Sequence, residues 1–239
     1  MDLAVVMPVY NEQDCIVDVV GAWRAMLGRL DIDFCILVLN DGSRDATGDR
    51  LTAFAADPCI RVIDKENTGH GPTILQGYRL AAEMADWVFQ CDSDGEMQPD
   101  SFGEFWAERE SCDAVFGIRV GRAQDLGRRL ISTASRAVVR ILFGKAVLDV
   151  NVPYRLMRSP LLAHIVTQLP QDTFAPNVII AGALARGGRR IRNLPVPHEV
   201  RRTGTASLGG WRLWRSAVRA FWQVLRSRAT VDLAGIADR

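Results

Sequence analysis

Trp87-Val88-Phe89-Gln90-Cys91-Asp92-Ser93-Asp94-Gly95 sets a short, largely apolar run directly before two carboxylates and a glycine. A run of that length, rich in aromatic and aliphatic residues and closed by turn formers, predicts a buried strand over about 87–91. The same unit recurs on both sides of it. Strands are predicted at about 3–8, 34–39, 60–64 and 114–117, and polar or glycine-rich clusters follow three of them. These clusters are Tyr10-Asn11-Glu12, Asn40-Asp41-Gly42-Ser43 and Asn67-Thr68-Gly69-His70-Gly71. Between the strands, Cys15–Leu30, Asp45–Ala55, Pro72–Met84 and Pro99–Glu108 have the apolar spacing of helices. Strands alternating with helices predict an α/β fold with a mostly parallel central sheet flanked by helices. Ligands of such sheets bind beyond the carboxyl ends of the strands, so all four polar clusters are expected to line one crevice.

The remaining 119–239 read differently. Arg-studded helices are expected at 128–143 and 174–186, a strand near 191–196, and a Gly/Thr/Ser-rich loop at 203–210. A last helix over 211–228 sets Trp211, Trp214, Val218, Phe221, Trp222 and Leu225 on one face, with Arg212, Arg215, Arg219 and Arg226 largely on the other. Such a helix either lies in a membrane interface or packs its apolar stripe on the domain.

The 239 residues carry a net charge of +1, but the halves differ. Residues 1–118 hold 8 basic and 22 acidic side chains, a net of −14; residues 119–239 hold 21 and 6, a net of +15. This division argues against a uniformly basic nucleic-acid binder and against an acidic disordered chain. Five widely spaced cysteines without a C-x-x-C pair indicate neither a disulfide framework nor a zinc knuckle, and fit a reducing cytoplasm. The first residues lack the pattern of a signal peptide, and no apolar run approaches about 18 residues, so no spanning helix is expected.

Asp92 and Asp94, one residue apart at a strand end, suit a hard divalent cation such as Mg²⁺ or Mn²⁺ that bridges to phosphate oxygens. Alone, the pair is a weak signal, since two aspartates in a turn are more often solvated capping residues. An EF-hand loop is excluded, because Gly95 falls at its fourth position and that loop needs glycine at the sixth.

The order of motifs narrows the reading. Pro8-Val9-Tyr10-Asn11-Glu12, then Asn40-Asp41-Gly42-Ser43, then Asp92-Ser93-Asp94 resembles glycosyltransferase family 2, whose members carry P-x-Y-N-E, D-D-G-S and D-x-D in this order on a GT-A (nucleotide-diphospho-sugar transferase) fold. The second half is most similar to the polyprenyl-phosphate, dolichol-phosphate mannose synthase-like branch. Gly117-Ile118-Arg119, Arg128-Arg129-Leu130-Ile131-Ser132, Asp149 through Tyr154-Arg155, and Arg201-Arg202-Thr203-Gly204 carry that likeness, which covers about residues 3–208.

The resemblance implies a GT-A domain over 1–210, with a nucleotide-binding half at 1–118, an acceptor half at 119–210 and a C-terminal helix and tail at 211–239. It implies a metal-dependent, inverting hexosyltransferase using a UDP- or GDP-linked sugar and a polyprenyl phosphate or glycolipid acceptor. Pro8, Tyr10, Glu12, Asp41, Gly69, Asp92, Ser93 and Arg201 would bind the nucleotide sugar, with Asp41 accepting a hydrogen bond from a base N–H. Asp92 and Asp94 would hold the metal, and Asp94, Arg119 and Arg155 would form the catalytic group, the arginines meeting phosphates. No nucleic acid is expected as a partner. Peripheral contact with the cytoplasmic face of a membrane, direct or through a membrane partner protein, is.

Departures from the family pattern mark what transfers least. Asn40 replaces the first Asp of D-D-G-S, Glu96 stands where relatives often have Gln, and Asn177 stands where they tend to have Glu. Two other readings remain open: a family 2 transferase acting on a saccharide hydroxyl, for which Asp172 or His198 would be the base, and a non-catalytic nucleotide-sugar binding protein. A nucleotidyltransferase is disfavoured by the lack of its glycine-rich loop after the first strand.

Overall fold

The structure, a computed structural model, describes residues 1–120 and 147–198. Among the described residues, seven strands form one sheet: β1 (Leu3–Val9), β2 (Phe34–Asp41), β3 (Ile60–Lys65), β4 (Trp87–Cys91), β5 (Ala114–Val120), β6 (Tyr154–Arg158) and β7 (Ile191–Pro197). Their order is β3-β2-β1-β4-β6-β5-β7, parallel except that β6 runs against both its neighbours. The sheet therefore crosses the 118/119 charge boundary without a break. The expected GT-A-like layout is observed, and the strands predicted from apolar runs are all present.

Helices cover both faces: α1 (Ile16–Leu27), α2 (Thr47–Leu51), α3 (His70–Met84), α4 (Phe102–Glu108), α5 (Ser159–Thr167) and α6 (Pro176–Arg186). β1 and β2 are buried along their whole length, as continuous apolar strands between two helical layers must be. On one face α1 inserts Trp23 beside Phe89 of β4, ring centroids 5.2 Å apart, and Phe102 and Tyr154 pack around the same pair. On the other face α3 lies close enough to the sheet that a Cβ at Gly77 would meet Val6 Cγ1 at 2.4 Å. Alternation along β4 thus sends Phe89 into an aromatic core and Gln90 toward α3 and α6.

Several boundaries differ from expectation. The span 45–55 resolves into α2 and a 3₁₀ turn at Thr52–Phe54, and α3 begins at His70 rather than at Pro72. β6 and α5 were not predicted as elements. β6 is short and its sequence, Tyr154-Arg155-Leu156-Met157-Arg158, carries two arginines that mask its apolar periodicity. The predicted helices at 128–143 and 211–228, the loop at 203–210 and Arg201 lie outside the described residues.

Candidate active site

Because β1, β2, β3 and β4 are parallel, their carboxyl ends deliver the polar clusters to one end of the sheet. The loops after β1 and β2 are stitched together. Asn11, in the left-handed region at φ 54°, donates its N–H to Ser43 Oγ at 3.0 Å and accepts from the Arg44 N–H at 2.8 Å. Asn tolerates that conformation better than most side chains. The Glu12 N–H donates to Thr47 Oγ1 at 2.9 Å, and Thr47 Oγ1 in turn donates to Asp45 Oδ1 at 2.6 Å. Tyr10 stands 40% exposed above these loops, free to present its ring to a ligand.

Asp41 ends β2 as a buried carboxylate. Lys65 at the end of β3 donates to Oδ1, the Thr68 N–H donates to Oδ1 at 2.9 Å, and the Gly69 N–H donates to Oδ2 at 2.9 Å. Burial alone would raise this carboxyl, but the hydrogen bonds from Lys65, Thr68 and Thr73 prevail and hold it below the ordinary range. The carboxylate expected to meet a base N–H therefore first fastens the glycine loop. Gly69, at φ 93°, takes a conformation that L side chains rarely adopt, and Gly71 lies so near the chain after α5 that a Cβ would meet Phe174 O at 2.1 Å.

Asn40 pairs in register with Asp64 of β3, and its Nδ2 donates to Asp64 Oδ1 at 2.8 Å. An aspartate here would face Asp64 as a like charge. The departure from D-D-G-S is thus matched by its cross-strand neighbour.

After β4 the two aspartates separate in environment. Asp92 Oδ1 accepts from Gln90 Nε2 at 2.9 Å and lies 3.8 Å from His70 Nε2. Burial pushes its carboxyl up to about 6, partly opposed by His70 and reinforced by Asp94 and Glu96. Asp94 Oδ1 accepts from the Glu96 N–H at 3.0 Å, closing a tight turn. Ser93, expected at the nucleotide sugar, is instead buried, and its hydroxyl donates to Pro8 O at 3.0 Å, which ties this turn to the end of β1. Pro8 is likewise buried within β1. Both residues shape the crevice from below.

The arginines divide in the same way. Arg119, near the end of β5, forms a bidentate pair with Asp149 at 2.8 and 2.9 Å, with both side chains partly exposed. Arg155 corrects its sequence assignment. It is fully buried, with Nε donating to Val152 O, Nη1 to Asn177 O, and Nη2 to Val150 O and Val152 O. A guanidinium spent on backbone carbonyls has no face left for a phosphate, so Arg155 positions the chain beneath the site. Burial lowers its pKa below the ordinary arginine value.

His198, following β7, brings Nε2 to 2.8 Å from Glu96 Oε2, at an angle that makes no hydrogen bond. Among the described residues no group of three His, Cys, Asp or Glu side chains converges as a preformed metal site. Asp92 and Asp94 fit a divalent cation that takes its remaining ligands from phosphate oxygens and water, the usual manner of Mg²⁺. Sequence reading missed Lys65, Tyr78 and Gln90. The signal for Gln90 was present as one amide interrupting an apolar strand; Lys65 resembled any strand-end lysine.

The family profile described as glycosyl transferase family 2 matches residues 4–159. Undecaprenyl-phosphate mannosyltransferase of Micrococcus luteus is 27% identical, over 95% of this chain and 99% of that protein. Undecaprenyl-phosphate 4-deoxy-4-formamido-L-arabinose transferase of Pseudomonas fluorescens is 29% identical over 88% of this chain, which spans 61% of that longer protein. Among solved structures, glucosyl-3-phosphoglycerate synthase of Mycobacterium tuberculosis, in complex with Mn²⁺ and UDP-glucose, superposes with a TM-score of 0.69 at 21% identity, over 97% of this chain and 80% of that one. The fold, the ordered motifs at the strand ends and the family match together establish that this chain belongs to glycosyl transferase family 2.

Proposed function

We propose that the protein transfers a hexosyl unit, with inversion, from a nucleotide diphosphate sugar to a polyprenyl phosphate. The observation that carries this reading is the gathering of Asp92 and Asp94, the 10–13 and 40–47 loops and the glycine loop at one end of the sheet, together with end-to-end similarity to a transferase named for undecaprenyl phosphate.

In this reading Tyr10, Glu12 and Asp41 receive the nucleoside. Asp41 keeps lone pairs on Oδ2 after accepting from Gly69, and the Lys65 and backbone bonds hold it ionised and ready to accept. Asp92 and Asp94 face the diphosphate. A divalent cation held there, Mg²⁺ or Mn²⁺, would neutralise charge on the departing nucleotide. Arg119 and Arg201 supply positive charge for phosphates, Arg119 with its fork oriented by Asp149.

The acceptor oxygen of a phosphate is already anionic, so inversion by in-line attack needs no strong general base. This suits a site whose fixed carboxylates serve the donor. Docking to lipid is proposed to be peripheral, at the cytoplasmic face, on the ground of similarity to a transferase named for undecaprenyl phosphate.

The test is incubation of the purified chain with radiolabelled UDP- and GDP-sugars, Mn²⁺ and undecaprenyl phosphate. Label in the organic extract supports the reading. Binding of donor without transfer to any acceptor would indicate a non-catalytic sugar-nucleotide protein, and label confined to water-soluble saccharide would indicate a hydroxyl acceptor.

A further inference from the structure

Gln90 sits on a central strand with no exposed surface. Burying a primary amide is costly unless each polar atom is used, and here each is. Its Nε2 donates to Asp92 Oδ1 at 2.9 Å, and its Oε1 accepts from Asn177 Nδ2 at 3.1 Å. Asn177 Oδ1 accepts from the Tyr78 hydroxyl at 2.7 Å. Tyr78 is fully buried on α3, and Asn177 lies at the first turn of α6 with its own carbonyl held by Arg155 at 3.0 Å.

The direction of this chain is dictated by its ends. An ionised carboxylate only accepts, so Gln90 must turn its NH₂ to Asp92 and its oxygen to Asn177. Asn177 must then donate to Gln90, leaving its oxygen for the tyrosine hydroxyl. Three donors in series point toward one carboxylate oxygen, and aligned hydrogen bonds polarise one another.

We infer that Gln90, backed by Asn177 and Tyr78, is a positioning group for Asp92, holding Oδ1 so that the second carboxylate oxygen is the one offered to a divalent cation carrying the donor diphosphate. This rests on the metal–diphosphate reading of the site proposed above. It also explains Asn177: a carboxylate there could not donate to Gln90 Oε1, and Gln90 would turn its oxygen toward Asp92.

The test measures Mn²⁺ affinity of the full chain, by the electron spin resonance of free Mn²⁺, in saturating UDP or GDP. Gln90→Met keeps volume and removes the donor; Asn177→Asp keeps shape and reverses the direction of the chain. Both are expected to weaken Mn²⁺ binding by about ten- to a hundredfold, the usual effect of losing a partner of a metal-binding side chain. Nucleotide affinity without metal should stay within twofold, which a general loss of structure would not allow. Tyr78→Phe removes only the last donor and is expected to give a smaller loss in the same direction, which keeps the inference testable if the other variants do not fold. Folded variants that bind Mn²⁺ as tightly as wild type overturn the inference alone. A wild-type chain that binds no Mn²⁺ with either nucleotide overturns the reading of the site and this inference with it.

Discussion

Lys65 and Asp41 form an ion pair at adjacent strand ends, with 11% and 5% of their side-chain surfaces exposed. The same ammonium also donates to Thr68 Oγ1 at 2.7 Å and Glu66 O at 2.7 Å, so one cation organises the end of β2, the end of β3 and the glycine loop. Removing one member of such a buried pair leaves the other uncompensated.

Lys65→Met is therefore expected to destabilise the protein by about 3–5 kcal/mol at pH 7. The Asp41 carboxyl is held below its ordinary value, so its contribution is complete above about pH 4 and lost as pH falls through the lowered value. Denaturant midpoints at pH 7 and pH 3 check this: the gap between wild type and variant should narrow at the lower pH.

The Asn40–Asp64 pair gives a second prediction about the β2–β3 edge. Asn40→Asp restores the usual family residue but sets two carboxylates across the β2–β3 register. A loss of about 1–3 kcal/mol is expected at pH 8, shrinking as pH falls and one carboxyl takes up a proton. The double variant Asn40→Asp, Asp64→Asn should recover most of the loss, and a double-mutant cycle measures it.

Asp92 is expected to cost the fold stability. Its carboxyl is pushed up to about 6, chiefly by burial, so the ionised form is disfavoured in the folded, metal-free protein. The penalty is absent below about pH 4, grows between pH 4 and pH 6, and is complete above that. Asp92→Asn should accordingly raise the unfolding free energy of metal-free protein at pH 8 by up to about 3 kcal/mol, with no gain near pH 4. The same variant should lose transfer activity.

Arg155 and Arg119 separate by assay. Arg155→Lys cannot reproduce a planar fork that reaches the carbonyls of Val150, Val152 and Asn177, and should cost about 3 kcal/mol or more in stability. Arg119→Gln should leave the unfolding midpoint within about 1 kcal/mol of wild type, because its Asp149 partner is partly solvated. Its effect should fall on catalytic efficiency for the phosphate acceptor.

The central sheet was legible because fully buried parallel strands are written as continuous apolar runs; residues 3–8 and 34–39 read that way, and the strands observed there extend to Val9 and Asp41. β6 was not, since Arg155 and Arg158 interrupt its pattern, and the carbonyls that satisfy the buried Arg155, two from Val150 and Val152 just before it and one from Asn177 on α6, are not apparent from the run itself. The motif order located the crevice but did not sort its residues. Pro8 shares a motif with Tyr10, and Ser93 shares one with Asp92 and Asp94, yet Pro8 and Ser93 are both buried and joined by a hydrogen bond. The chain from Tyr78 through Asn177 to Gln90 joins residues up to 99 positions apart. No local spacing encodes it.

The most direct test of the account is mass spectrometry of the organic phase after purified protein is incubated with UDP- or GDP-hexose, Mn²⁺ and undecaprenyl phosphate. The account predicts a new ion at the mass of hexosyl phosphoundecaprenol for wild type, its loss for Asp94→Asn with the circular dichroism spectrum unchanged, and its loss in excess chelator. Full lipid product from Asp94→Asn, or no lipid-linked sugar from wild type with either nucleotide, would contradict it.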